Sequence, residues 1–114
     1  MTVLVAGPDV DGLGDALEAR GAAVVRVAGI ATRDSLTAAG LDEADTLVLT
    51  DMDDASAIPV AKEAKPDVRI VTYATDSLPE FARGQTDLAI DPALLSVDVV
   101  ADELVEGLVG EQSE

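Results

Sequence analysis

The sequence predicts a single α/β domain: one doubly wound, five-stranded parallel sheet of the Rossmann/flavodoxin-like kind, with helices on both faces. Three observations carry this. Short β-branched runs alternate with segments of helical spacing along the whole chain. The strand-like runs are apolar almost throughout, as strands buried on both faces must be. The connections are short, which for parallel strands means right-handed crossovers through the helices. At 114 residues the chain can bury roughly 65% of the surface that its unfolded form exposes. The domain is expected over residues 1–109, with "EQSE" and the glycine before it, 110–114, as a frayed tail.

Residues 2–6 (TVLVA) form the first strand, broken at Gly7. A helix over residues 11–20 puts Leu13, Ala16 and Leu17 on one face and stops at Gly21. Residues 23–27 (AVVRV) are the second strand. Thr32 caps a helix over 33–39 that ends at Gly40. Residues 45–50 (DTLVLT) make the third strand. In the helix over 54–64, Pro59 marks a kink or a late start, and Pro66 bars continuation. The fourth strand is 68–74 (VRIVTYA). Ser77-Leu-Pro-Glu80 then has the pattern of a capping box with proline in the first turn. Residues 86–90 (TDLAI) are the fifth strand. The last helix, 96–109, stacks Val97, Val100, Ala101, Leu104, Val105 and Leu108 on one side, with Asp102, Glu103 and Glu106 on the other. The chain contains no internal repeat, linker or low-complexity tract.

Composition removes whole classes of function. Without cysteine there are no disulfides, thiolate nucleophiles or Cys-zinc sites. Without histidine as well, Ser-His-Asp and Cys-His nucleophiles and His metal sites cannot exist within this chain. Twenty-three acids against seven bases, net −16, make nucleic acid and anionic membrane poor partners. The acids are spread along a chain that is 48% hydrophobic, so they belong to a globular surface. No apolar run reaches the length of a membrane span, and the opening "MTVLVAGP" is too short and uncharged for a signal peptide. The expectation is a cytoplasmic protein with no membrane insertion, meeting a protein partner or a second copy of itself. Lysine occurs only at 62 and 65, and the aromatics are Tyr73 and Phe81 alone. Such an acidic, lysine-poor surface over a Val, Ala and Leu core resembles proteins of salt-accumulating haloarchaea.

The stretch "VLVAGPDVDGLG", residues 3–14, carries two-thirds of the dinucleotide fingerprint G-x-G-x-x-G: Gly7 and Gly12 are present, and Asp9 stands in the middle. That glycine lets backbone approach a pyrophosphate. Asp9 adds a side chain and a charge, and like charges 4 Å apart repel by about 4 kcal/mol at an effective dielectric near 20. The expected structure is a strand-turn-helix in which Gly7 permits a tight turn and Asp9 or Asp11 caps the helix. The functional alternative is a vestigial nucleotide site at Gly7, Asp9, Asp11 and Gly12, with Thr72 and Thr75 across the rim, although hydroxyls at strand ends serve more often as local caps. Asp51, Asp53 and Asp54 follow the third strand and should face Asp9 and Asp11 at the switch point. Oxygen-only ligands at Asp9, Asp11, Asp51 and Asp53 suit Mg²⁺ or Ca²⁺. Asp51 also occupies the place where response-regulator receivers keep their phospho-acceptor. Receivers need an acidic pair ending the first strand, where this chain has Ala6-Gly7, and a lysine after the fifth, where it has Asp91-Pro92. Lys62, Lys65 and Arg69, the one basic cluster, fit helix-end charges that favour the macrodipole.

Residues 43–92, from "EADTLVLTDMDD" to "TDLAIDP", resemble the second half of RCK (Trk-type) nucleotide-binding domains, and "GLDEAD" at 40–45 matches that family's lead-in. The resemblance implies a Rossmann-like fold and nucleotide binding. The first half departs from the pattern: one glycine is lost, no acid ends "VRVAGIA", and a helix-strand pair is missing. A Rossmann half of order 3-2-1-4-5 without its third strand becomes 2-1-3-4-5. The chain also resembles small haloarchaeal proteins of unknown function, some of which carry a CTP synthetase label, but it has neither a G-x-x-x-x-G-K-[ST] loop nor an amidotransferase cysteine. The function expected is a small soluble, halophilic regulatory or interaction module, non-catalytic, with weak or vestigial nucleotide binding. The alternative is a divalent-cation-dependent enzyme or receiver-like phospho-switch centred on Asp51.

The charge leads to one direct test. Molar salt shortens the Debye length to about 3 Å and screens self-repulsion, so the melting temperature should climb between about 0.1 M and about 2 M KCl. No change over that range would remove the halophile reading.

Overall fold

The computed structural model describes residues 1–27 and 29–113, with side chains through Val105. In chain order it contains β1 (Thr2–Ala6), α1 (Leu13–Ala19), β2 (Ala23–Arg26), α2 (Arg33–Ala39), β3 (Thr46–Leu49), α3 (Ala57–Ala64), β4 (Arg69–Tyr73), α4 (Glu80–Arg83), β5 (Leu88–Ile90) and α5 (Val97–Ser113), with 3₁₀ turns at Leu41–Glu43 and Met52–Asp54. All neighbouring strands pair in parallel, in the order β2-β1-β3-β4-β5. This is the flavodoxin-like order expected.

Strand alternation divides the core in two. Leu4, Ala6, Leu47, Leu49 and Ile70 point to the face covered by Leu36 of α2 and by Ile58 and Ala61 of α3. Val3, Val5, Val48, Val71, Tyr73 and Ile90 point to the opposite face, under Leu13 and Leu17 of α1 and Val100, Ala101 and Leu104 of α5. Each fully buried aliphatic side chain of this kind contributes about 1.5–3 kcal/mol by leaving water. Thr46 lies on the second face, and its fully buried hydroxyl has no hydrogen-bond partner among the described residues. Among the described residues no helix is long and apolar enough to cross a membrane.

The helix ends show local chemistry at work. α1 begins behind Gly12, which sits at φ +76°, and the Asp9 carboxylate accepts hydrogen bonds from the N–H groups of Leu13 (2.8 Å) and Gly14 (2.9 Å). Of the two acids expected as caps, Asp9 is therefore the one used. α2 spans the expected residues between Thr32, which forms a reciprocal capping box with Ser35, and Gly40 at φ +97°. α3 starts late, at Ala57, so Pro59 falls in the first turn, where its missing N–H is no loss.

The Ser77–Glu80 capping box does not form. α4 starts at Glu80 with Pro79 as an extended cap residue and no side-chain cap. A box would require Leu78 in helical conformation, and the residue before a proline is pushed out of that region. α5 runs past the expected boundary at 109 to Ser113. The expected positions Glu106 and Leu108 have side chains outside the described residues, as does Glu114 altogether.

Two polar links fix α5. Arg20, the residue that ends α1, pairs with Asp98 (3.5 Å) and with Asp102, and the hydrogen bond to Asp102 raises the arginine pKa further. At the other end, the Tyr73 hydroxyl of β4 donates to the Leu95 carbonyl at 2.9 Å, pinning the β5–α5 loop. Burial raises the Tyr73 pKa, and the charge of Asp11 adds to the effect.

Asp9→Ala is expected to destabilise the fold by about 1–2 kcal/mol through loss of the α1 cap. Asp11→Ala should cost under about 0.5 kcal/mol, as surface changes do; equal losses in urea unfolding would refute this assignment. Because the chain has one tyrosine, phenolate absorbance reports Tyr73 alone. Its midpoint should lie above about 10 in the folded protein and near 10 when unfolded. The neutral phenol is the favoured folded form, so its stabilisation is complete below about pH 10 and disappears as pH rises through the folded pKa. Tyr73→Phe should abolish that alkaline loss. A folded midpoint at or below 10 would contradict the burial described.

Candidate functional site

Parallel strands send all their β-to-α loops to one end of the sheet, and the switch point of this order lies between β1 and β3. Ala6 pairs with Leu49, and the Thr50 N–H donates to the Ala6 carbonyl at 3.0 Å. Residues 7–12 and 51–54 therefore lie side by side, as expected. Gly7, at φ +99°, is required there: a Cβ would stand 2.6 Å from the Thr50 hydroxyl oxygen and 3.2 Å from the Asp51 nitrogen.

The carboxylates of this rim do not converge. Besides the two α1 amides, Asp9 accepts from the Arg26 guanidinium at 3.2 Å, and Arg26 also reaches Asp15 at 3.3 Å. The Asp9 side chain is only 9% exposed. Asp11 stays exposed and lines a cleft of about 390 Å³ together with Pro8, Val10, Tyr73, Thr75 and Ala93. On the other side of Pro8, Asp51, Asp53 and Asp54 line a separate cavity of about 530 Å³ with Gly7 and Ile30. Asp51 accepts from the Asp53 N–H at 2.9 Å, closing the 3₁₀ turn. Asp54 is buried and accepts from the Ala31 N–H at 3.2 Å.

Among the described residues no three acidic side chains could hold a metal ion together. Of the residues expected as a cation site, Asp9 has its oxygens engaged within the chain, Asp11 lines one cavity, Asp51 and Asp53 line the other, and Pro8 borders both. The residues expected at a nucleotide rim are placed as follows. Gly7 and Gly12 shape the turn, while the amides of Leu13 and Gly14, at the start of α1, already hold a carboxylate. Thr75 does reach the cleft beside Asp11. Thr72, at 3% exposure, is buried within β4 and borders a shallow cavity near Asp76 and Asp91 instead. Asp91, at the end of β5, accepts from the Ala93 N–H at 2.9 Å.

The Arg26–Asp9 pair escaped the sequence, although Gly14 was a signal for it. A glycine within a helix with no positive φ asks for a packing reason. Here a Cβ at Gly14 would lie 2.7 Å from Arg26 Nη2 and 2.9 Å from Asp9 Oδ2. The basic cluster sits at the opposite end of the sheet. Lys62 donates to the Val68 carbonyl at 2.7 Å and pairs with Asp87 at 3.3 Å. Lys65 donates to the carbonyls of Asp42 and Ala44. These lysines tie loops together at the amino ends of the strands.

Solved structures share this architecture. An orphan response regulator of H. pylori, HP1043, matches with a TM-score of 0.73 and 17% identity, over 93% of this chain and 94% of its own. An atypical orphan response regulator described with a phosphorylation-independent regulatory mechanism matches with a TM-score of 0.70 and 17% identity, over 90% and 91%. A candidate pilus assembly protein, CpaE, from Burkholderia thailandensis matches with a TM-score of 0.69 and 20% identity, over 96% and 98%. At such identities the likeness is one of fold. No curated protein matches the sequence. The family model that matches covers residues 3–104, and the chain belongs to DUF7126, a family of unknown function.

Proposed function

We propose that this chain is a small regulatory or interaction module on a receiver-like fold that works without phosphoryl transfer. The state of Asp9 carries the reading. Its carboxylate is committed to the amides of Leu13 and Gly14 and to Arg26, so it is not free to share a cation with Asp51. A phosphoryl group on Asp51 would bring further negative charge to a rim already lined by Asp53 and Asp54. No lysine follows β5 to balance it, since Asp91-Pro92 occupies that place. The regulator described as phosphorylation-independent offers a precedent for the same fold acting in this way.

The nucleotide-binding reading drawn from the RCK resemblance is proposed in its vestigial form only. The amides that open α1 already face an anion, and no acid ends β2 to hold a ribose. NAD, ATP or AMP should bind no tighter than about millimolar. Asp51 remains half-exposed at the end of β3, and this favours the receiver-like phospho-switch as the second reading.

Both readings can be separated by following amide NMR shifts in molar KCl with Mg²⁺ and either acetyl phosphate or beryllofluoride. The proposal expects weak, fast-exchange shifts that are the same in Asp51→Asn. A new slow-exchange spectrum that vanishes in Asp51→Asn would establish the phospho-switch. A micromolar nucleotide isotherm would restore the cofactor site.

A further inference from the structure

We infer that the cleft between the β1–α1 and β5–α5 loops receives a monocationic group carried on an apolar stem, the chemistry of an alkylguanidinium or alkylammonium. Its position and size suit a small ligand: it opens at the switch point and encloses about 390 Å³. Pro8, Val10, Pro92 and Ala93 supply apolar walls around the Tyr73 ring, and Val10 is 88% exposed at the lip.

The polar side chains facing this space offer acceptors, with Thr75 adding a hydroxyl that can also donate. Tyr73 gives its proton to the Leu95 carbonyl at 2.9 Å, which leaves the phenol oxygen only its lone pairs. The Thr50 hydroxyl lies against the carbonyls of Ala6 and Pro8. Asp9 is neutralised by Arg26. Asp11 is different: among the described residues its carboxylate accepts no hydrogen bond and pairs with no cation. Its charge is close enough to the cleft floor to act on the Tyr73 hydroxyl.

Each competing ligand class leaves something unmet. An anion would face the uncompensated Asp11 charge. A neutral apolar ligand would strip water from that carboxylate without replacing its hydrogen bonds. A divalent ion would find no set of three acidic ligands among the described residues. A cation at the end of a three- or four-carbon stem meets Asp11 with its head and the Val10, Pro92 and Ala93 walls with its stem, as long basic side chains do elsewhere. The inference stands apart from the proposed function because it does not involve Asp51.

The test is an amide NMR titration of the full chain with n-butylguanidinium at one fixed KCl concentration, alongside guanidinium and 1-pentanol. Saturable shifts confined to Val10, Asp11, Thr75 and Ala93 are expected for n-butylguanidinium, with both controls binding more weakly. Asp11→Asn should weaken binding about tenfold, the loss of one charge-assisted contact, and Asp34→Asn on α2 should leave it unchanged. Val10→Ser should weaken n-butylguanidinium more than guanidinium. A blocked tripeptide with a central arginine forms a second arm: the same local shifts would identify a protein side chain as the source, and binding by the small cation alone would identify a free metabolite. Shifts scattered over the acidic surface, an unchanged isotherm in Asp11→Asn, equal binding of 1-pentanol, or no saturable binding would each overturn the inference.

Discussion

Two-sided burial of the central strands is the constraint on which the rest of the molecule depends. Val3 to Ala6 of β1 and Leu47 to Leu49 of β3 are at most 1% exposed, because helices cover both faces of the sheet. No side chain in the middle of these strands can meet a ligand, so whatever the protein binds must be met by loops. The parallel arrangement gathers those loops at one end and puts the residues after β1 beside those after β3. Function is thereby limited to a few short segments whose side chains also have to satisfy the ends of the helices behind them.

That double duty explains what the sequence revealed and what it concealed. Strands were legible because two-sided burial leaves continuous runs such as TVLVA, and the ends of α2 because Thr32 and Gly40 each act through their own local geometry. The order of the sheet was expected through the RCK resemblance, by removing one helix-strand pair from that pattern. Ser77–Glu80 misled because the pattern of a capping box ignores the restriction that Pro79 places on Leu78. Thr72 was hard to place because one residue decides whether a hydroxyl at a strand end lies on the rim or within the core.

The acidic cluster was the least legible feature, for a physical reason. Among the described residues, a set of the aspartates serves as backbone ligands. Asp9, Asp45, Asp51, Asp54, Asp87 and Asp91 each accept from a main-chain N–H elsewhere in the fold or in their own turn. A short carboxylate reaches such a donor where a glutamate would need to fold back. Net charge therefore counts two populations together: aspartates spent on closing turns and acids left to the solvent. Only the second keeps its whole carboxylate for a ligand, and sequence spacing does not tell them apart. Asp11, two residues from the Asp9 cap, closes nothing among the described residues.

The Asp9 cap has a consequence for how such a loop can change over time. A group tethered a few residues from its acceptor site competes at an effective concentration of the order of millimolar or more, and a diffusing anion has to displace it without that advantage. The loop is in effect a receptor with an antagonist built into its own side chains. Gain of an anionic ligand would require loss of the antagonist first, and that loss would expose Arg26 and the first turn of α1 together. Stability and recognition are coupled at a single carboxylate, so a lineage could acquire the ligand only by passing through a weaker fold.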